Sequence, residues 1–237
     1  MARSNPAEAV KNLFQTPELK SKLGFTLLAL VVYRLGAHIT APGIDVRALI
    51  EFFQNQQSGG LLGLYAMFVG GGLSRATVFA LGIVPYISSS IVFQIMTAVV
   101  PQFEKMQREE EGRNKITQYT RYLTVAIAVL QAWGYALFTE SLQGAVLHPG
   151  FGFRVEMALF LTTGAMFVMW LGEQITERGV GNGASLLIFF SIVERIWPSI
   201  GQTWAYMQTG TTAPFKVLVL GVVMVGVMAG TVAISVA

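Results

Sequence analysis

The side chains here that could move protons or hold a metal are two histidines, His38 and His148, and a scatter of carboxylates. Neither histidine has a carboxylate at motif spacing, and no ligand pair recurs at the spacing that would put a metal on one helix face. The chain has no cysteine, which removes disulfides, thiolate metal sites and cysteine nucleophiles. The glycine-rich stretch ERGVGNG, residues 177–183, does not match a phosphate-binding loop and follows no strand. It reads as a tight turn. No catalytic, cofactor-binding or metal-binding residue is therefore expected, and the chain is not expected to be an enzyme.

Polar residues set among apolar ones ask for a different explanation. Ser88, Ser89 and Ser90 lie within an apolar run, with Gln94 further along it. Small hydroxyl residues let membrane helices approach closely, so packing explains the serines. An amide facing lipid is costly, so Gln94 should face a partner helix or a wet seam. Glu194 and Arg195 interrupt another apolar run and need a paired or watered setting, unless the helix ends near Val193. Arg34, near the far end of the first run, can snorkel to the interface. Glu109, Glu110 and Glu111 read as a solvated loop or as a docking point for a partner.

The elements that must carry these residues follow from hydropathy. Apolar residues make up 53% of the chain and charged ones 12%, against about a quarter charged in ordinary soluble domains. A spanning helix needs about 20 mostly apolar residues. Such runs are expected over 23–40, 76–98, 122–138, 155–171, 184–204 and 215–237. Residues 1–22 read as a polar, amphipathic cytoplasmic N-terminus with Val10, Leu13, Phe14 and Leu19 at helical spacing, and no cleavable signal follows. Polar loops are expected over 41–58, 102–121, 139–153 and 172–185. The stretch 59–73, GGLLGLYAMFVGGGL, is apolar but too short to cross, and its triple glycine breaks it. It fits a re-entrant half-helix or a plug, tolerated only inside protein or beside water. The last run has no closing charged residue, so the chain is expected to be part of something longer.

Lysine and arginine set the orientation. An inside N-terminus puts Arg3, Lys11, Lys20, Lys22, Lys105, Arg108, Arg113, Lys115, Arg121 and Arg178 in the cytoplasm. Arg47, Arg75, Arg154, Arg195 and Lys216 are then left outside, so the bias favours the N-terminus inside.

Three stretches, in this order and spacing, closely resemble bacterial members of the SecY family of protein-conducting channel subunits. They are GGGLSRATVFALGIVPYISSSIVFQIM (70–96), GRNKITQYTRY (112–122) and WLGEQITERGVGNGASLLIF (170–189). The resemblance covers almost the whole chain from about residue 10. It implies an all-α, polytopic transmembrane bundle that forms one half of an inverted-repeat channel with a short plug helix. The plug would be 59–73, including Gly60, Leu61, Leu62, Leu64, Tyr65, Met67, Phe68, Gly70, Gly71 and Gly72. A pore ring would take Ile83 and Ile87 from the second span and Ile188 and Ile192 from the fifth. Each pair is spaced i, i+4, on one helix face.

By the same resemblance, Pro85, Ser88 and Gln94 would line a lateral gate, and Arg113, Lys115, Arg121 and Arg178 would dock cytoplasmic partners. The implied function is passage of unfolded secretory polypeptides across the bacterial inner membrane, and of membrane segments laterally into it. The implied partners are SecE, SecG, SecA or a ribosome, signal sequences and the lipid bilayer, with no cofactor. A secondary transporter of small solutes and a purely structural membrane subunit are the alternative readings from other classes.

Overall fold

The structure, a computed structural model, describes residues 16–55, 72–142, 144–209 and 214–236. It divides into two units, Met1–Ile192 and Val193–Ala237. The first residues expected as a cytoplasmic N-terminus, and plug positions Gly60 to Gly71, lie outside the described residues.

In the first unit, α1 (Pro17–Gly36) opens on a proline, whose fixed φ suits a first helical turn. It starts and stops earlier than the expected 23–40. Lys20, Lys22 and Arg34 fall inside its 20 residues. The chain then runs out extended. Val78 N–H donates to the Ile39 carbonyl (2.7 Å) and Ala41 N–H to the Ala76 carbonyl (2.8 Å). Asp45 N–H donates to the Ala145 carbonyl (2.9 Å), so one strand-like segment stitches two distant loops to this end of the bundle. Next comes α2 (Val46–Asn55), within a stretch expected to be loop. Leu49 and Phe53, one turn apart, bury its inner face.

The run expected as a continuous span over 76–98 is built in two parts. Residues 72–83 form a short 3-10 turn (Leu73–Arg75) and further turns, with Ala76 at φ 47° and Gly82 at φ 56°. Only then does α3 (Val84–Val99) begin, so Pro85 sits in its first turn rather than inside the helix. There a missing N–H disrupts nothing. Val100 is extended, as expected of a residue before proline. At that break the chain bends by 104° into α4 (Pro101–Arg108). Glu109 is also extended, and α5 (Glu110–Ser141) follows. The expected charged loop over 102–121 is therefore helical. Its charges pair along the helix, as Arg108 with Glu104 at 2.6 Å, which hydropathy alone does not register.

Residues expected as spans over 122–138 and 155–171 lie within α5 (32 residues) and α6 (Phe151–Arg178, 28 residues). The two pack antiparallel. Buried Thr120, Thr124, Ala128, Ala132 and Ala136 recur every fourth residue on α5, a small-residue stripe of the kind that lets membrane helices approach closely. A Cβ on Gly164 of α6 would collide with the Val78 carbonyl, so the irregular 72–83 segment lies directly against that helix. The turn after α6 is confined to 179–182, and α7 (Gly183–Gln208) follows. α7 continues past Val193 through Glu194, Arg195 and Pro198, so the helix does not end at the charged pair.

The second unit holds the rest of α7 and α8 (Pro214–Val236). α5, α6, α7 and residues 215–235 of α8 are each long and apolar enough to cross a membrane, as is α3 with α4 if that bent pair is one span. Outward residues such as Leu130, Leu159 and Leu218 are well exposed, the pattern of helices whose outer faces meet lipid.

Candidate functional site

Two buried clusters fill the first unit. One, around Leu49, Leu73, Ala132, Met157 and Leu161, closes the end that holds α2 and the α5–α6 loop. The other gathers Ala29 and Tyr33 from α1, Phe79 and Ile83 from the irregular segment, Val168, Leu171 and Ile175 from α6, and Leu187 from α7. Ile87 and Ile188 pack against this second cluster, half-buried. Three of the four expected ring residues thus share one apolar cluster. Ile192 is 38% exposed and stands outside it. Ile83 precedes the first turn of α3, with φ −92° and ψ 0°. Its Cδ1 lies 3.1 Å from where a Cβ on Gly172 would stand, and that of Leu187 3.6 Å. The bare backbone of α6 at Gly172 is what lets the second and fifth spans converge.

The three expected gate residues differ in setting. Pro85 is buried, Ser88 half-buried and Gln94 exposed. The fully buried member of the serine run is Ser89, whose hydroxyl donates to the Pro85 carbonyl at 2.9 Å. This is the i to i−4 back-bond that a serine inside a helix commonly makes.

At the α5 N-terminal end the surroundings turn polar. Arg121 Nε donates to Glu173 Oε1 at 2.9 Å, joining α5 to α6. Beside it lies a cavity of about 180 Å3 lined by Tyr86, Thr117, Thr176, Glu177 and Asn182 as well as this ion pair. The pair shows that residues 112–121 and 172–183 sit at the same end of the bundle. Arg113, Lys115 and Arg178 are exposed there.

The glycine-rich turn is held from three sides. Val180 N–H donates to Thr26 Oγ1 (3.1 Å), Gly183 N–H to Thr176 Oγ1 (2.9 Å) and Ser185 N–H to Asn182 Oδ1 (3.1 Å). The last of these is the N-cap of α7. A Cβ on Gly179 would stand 2.5 Å from Thr26 Oγ1, so a glycine is needed for α1 to latch the turn. Of the plug stretch, Gly72 and Leu73 are described, and the Leu73 carbonyl accepts from the buried Tyr135 hydroxyl at 2.6 Å. Thr26, Tyr33, Tyr135, Glu173 and Ser191 escaped the sequence reading. Their partners lie far off in the chain, 52 residues for Arg121–Glu173 and 158 for Tyr33–Ser191. The available signal was polar residues within or beside apolar runs.

Among the described residues no group of acidic or histidine side chains could hold a metal.

A family profile described as SecY matches residues 77–237. The protein translocase subunit SecY of Pseudomonas aeruginosa is 46% identical over 230 residues, covering 97% of this chain and 51% of that protein. That of Escherichia coli K12 is 47% identical over 212 residues, covering 88% of this chain and 47% of its own length. The chain thus spans about half the length of these curated relatives. Among solved structures, one described as a protein conducting channel matches with a TM-score of 0.57 at 17% identity, covering 84% of this chain and 45% of its own. A SecY structure concerned with the plug domain matches with a TM-score of 0.52 at 19% identity, covering 79% and 41%. These two matches carry the fold alone, but the family profile and the bacterial relatives carry more: this chain belongs to the SecY family.

Proposed function

We infer that this chain supplies one wall of a protein-conducting channel, through which unfolded secretory polypeptides cross the membrane and apolar segments leave sideways into lipid. The observation that carries the reading is the apolar cluster on which Ile83, Ile87 and Ile188 converge, capped at one end by a polar, charged mouth. A narrow apolar constriction dewets, so it stops ions without a charged gate and still yields to a passing chain. Ile192, more exposed, would face the space that such a constriction encloses. Pro85, Ser88 and Gln94 belong to the helix that would form one side of a lateral exit. Residues 59–73 would be the plug, hung from the Leu73 carbonyl that Tyr135 holds.

The channel would be passive, with no catalytic group of its own. Secondary transporters use ionisable residues near mid-membrane to couple ions. Among the described residues, the buried polar side chains are threonines and serines, which supports a pore over a coupled carrier. Orientation rests on the lysine and arginine bias, with the polar mouth in the cytoplasm of a bacterial inner membrane. There Arg113, Lys115, Arg121 and Arg178 would meet a ribosome or a motor such as SecA, while SecE and SecG would pack around the bundle. One structural neighbour is described as Sec61 in a ribosome-channel complex, which supports a ribosome among the partners.

The test is resting ion conductance of the full-length protein in proteoliposomes. Ile83→Ser and Ile188→Ser should each raise it, because a polar waist wets more readily. Conductance unchanged in both would remove the waist.

A further inference from the structure

Tyr33 of α1 is 4% exposed and Ser191 of α7 is 1% exposed, and their hydroxyls meet at 2.9 Å. Ser191 Oγ donates to the Leu187 carbonyl at 2.9 Å, so its one proton is used and Tyr33 is the donor between them. Other buried hydroxyls, Ser89, Thr120, Thr124 and Thr139 among them, bond the backbone of their own helices. The Tyr33–Ser191 bond instead joins two helices side chain to side chain.

The ring of Tyr33 makes a second set of contacts. It stacks on Phe79 at 5.4 Å with planes 2° apart, and Phe79 stacks on Phe167 of α6 at 5.8 Å and 3°. Phe190 of α7 meets Tyr33 edge-on at 6.3 Å. Phe79 lies four residues before Ile83; Ser191 lies three after Ile188 and one before Ile192. One residue therefore touches the local structure that sets both isoleucine pairs.

Apolar packing alone tolerates rearrangement at little cost. A buried hydrogen bond has a narrow length and direction, so it can choose one rotation among several that pack well. A one-residue slip turns a helix by about 100°, from 3.6 residues per turn, and would put Leu187 or Phe189 where Ile188 stands. We propose that Tyr33 is a positioning residue: its hydroxyl fixes the rotation of α7, and with it the placing of Ile188 and Ile192, while its ring holds Phe79 and the approach to Ile83. The consequence for ion sealing rests on the waist reading above; the effect on α7 does not.

The test uses the full-length protein in membrane vesicles, with Leu187→Cys as the one reactive thiol and a water-soluble maleimide as probe. Leu187 is 1% exposed, so labelling should be slow. Ser191→Ala removes the Tyr33 hydroxyl's partner and should speed labelling about three- to twentyfold, the range that membrane hydrogen bonds span. Tyr33→Phe alone, which leaves Ser191 on the Leu187 carbonyl, should speed labelling in the same way, and the double variant should stay fast with little added. Thr124→Val, which strips a buried hydroxyl from α5, serves as the control for general loosening and should leave labelling unchanged. Resting ion leak, measured in parallel, should follow labelling. If labelling behaves as stated and leak stays flat, Tyr33 still positions α7, and the isoleucine waist is the idea that fails. Labelling unmoved by either single variant, returned to the starting rate in the double variant, or raised equally by Thr124→Val overturns the positioning role.

Discussion

The carbonyl of Val78 occupies the space where a Cβ on Gly164 would stand, and backbone cannot swing aside as a side-chain tip can. Gly164→Leu should destabilise the bundle by about 1–3 kcal/mol, the usual range for overpacking, read as a lower unfolding midpoint in detergent. The Arg121–Glu173 pair invites a contrasting expectation. The two side chains are 45% and 14% exposed, and partly exposed pairs contribute about 0–1 kcal/mol. Glu173→Gln should therefore change the unfolding midpoint little. Charge reversal at Arg113, Lys115 or Arg178 should weaken binding of a ribosome or motor, more at low salt than at high salt, because exposed charges are screened within about 8 Å at 0.15 M. Binding unchanged at both salts would remove this end as the docking face.

At the scale of elements, Tyr135 is one of the groups that hold the segment before α3. Its hydroxyl reaches the buried Leu73 carbonyl at 2.6 Å. Tyr135→Phe leaves that carbonyl without this donor, a loss of about 1–3 kcal/mol. Amides 73–82 should then exchange faster with deuterium while those in the middle of α6 stay protected. Equal protection in mutant and parent would mean the segment is secured elsewhere.

These same elements mark where sequence stopped being informative. The long apolar runs of α5, α6 and α8 announce themselves, because hydropathy records what lipid demands. α2 did not, although Leu49 and Phe53 lie at helical spacing, because polar residues on its other face made the stretch look like loop. α4 and the first turns of α5 are helices of charged residues, stabilised by i, i+4 pairs such as Glu104–Arg108. The irregular 72–83 segment was hidden for the opposite reason. Its residues are apolar enough for a span, and its non-helical path shows only in the structure, in left-handed Ala76 and Gly82 and in the backbone bonds to residues 39 and 41. Of the candidate site, motif position led to Ile83, Ile87, Ile188 and Ile192, and the first three fall in one cluster while Ile192 lies outside it. The hydrogen bonds behind them join residues up to 158 apart and have no local trace.

For the whole molecule, antiparallel α5 and α6 fix which loops share an end, and the proposed orientation, from the lysine and arginine bias, would put that end in the cytoplasm. Cysteines at Lys115 and Arg178 should react with an impermeant reagent only from the cytoplasmic side, and one at Leu147 only from outside. The reverse pattern would invert the topology without touching the fold. The central claim, that the cluster on α3 and α7 walls a path for polypeptide, is tested most directly by photocrosslinking. A photoreactive residue is placed singly at Ile87, Ile188, Leu130 or Leu159 of the full-length protein, and a secretory chain is stalled in transit. Adducts to that chain from positions 87 and 188, with none from the outward positions 130 and 159, are the result a channel wall predicts. Adducts from 130 and 159 with none from 87 and 188 would contradict it.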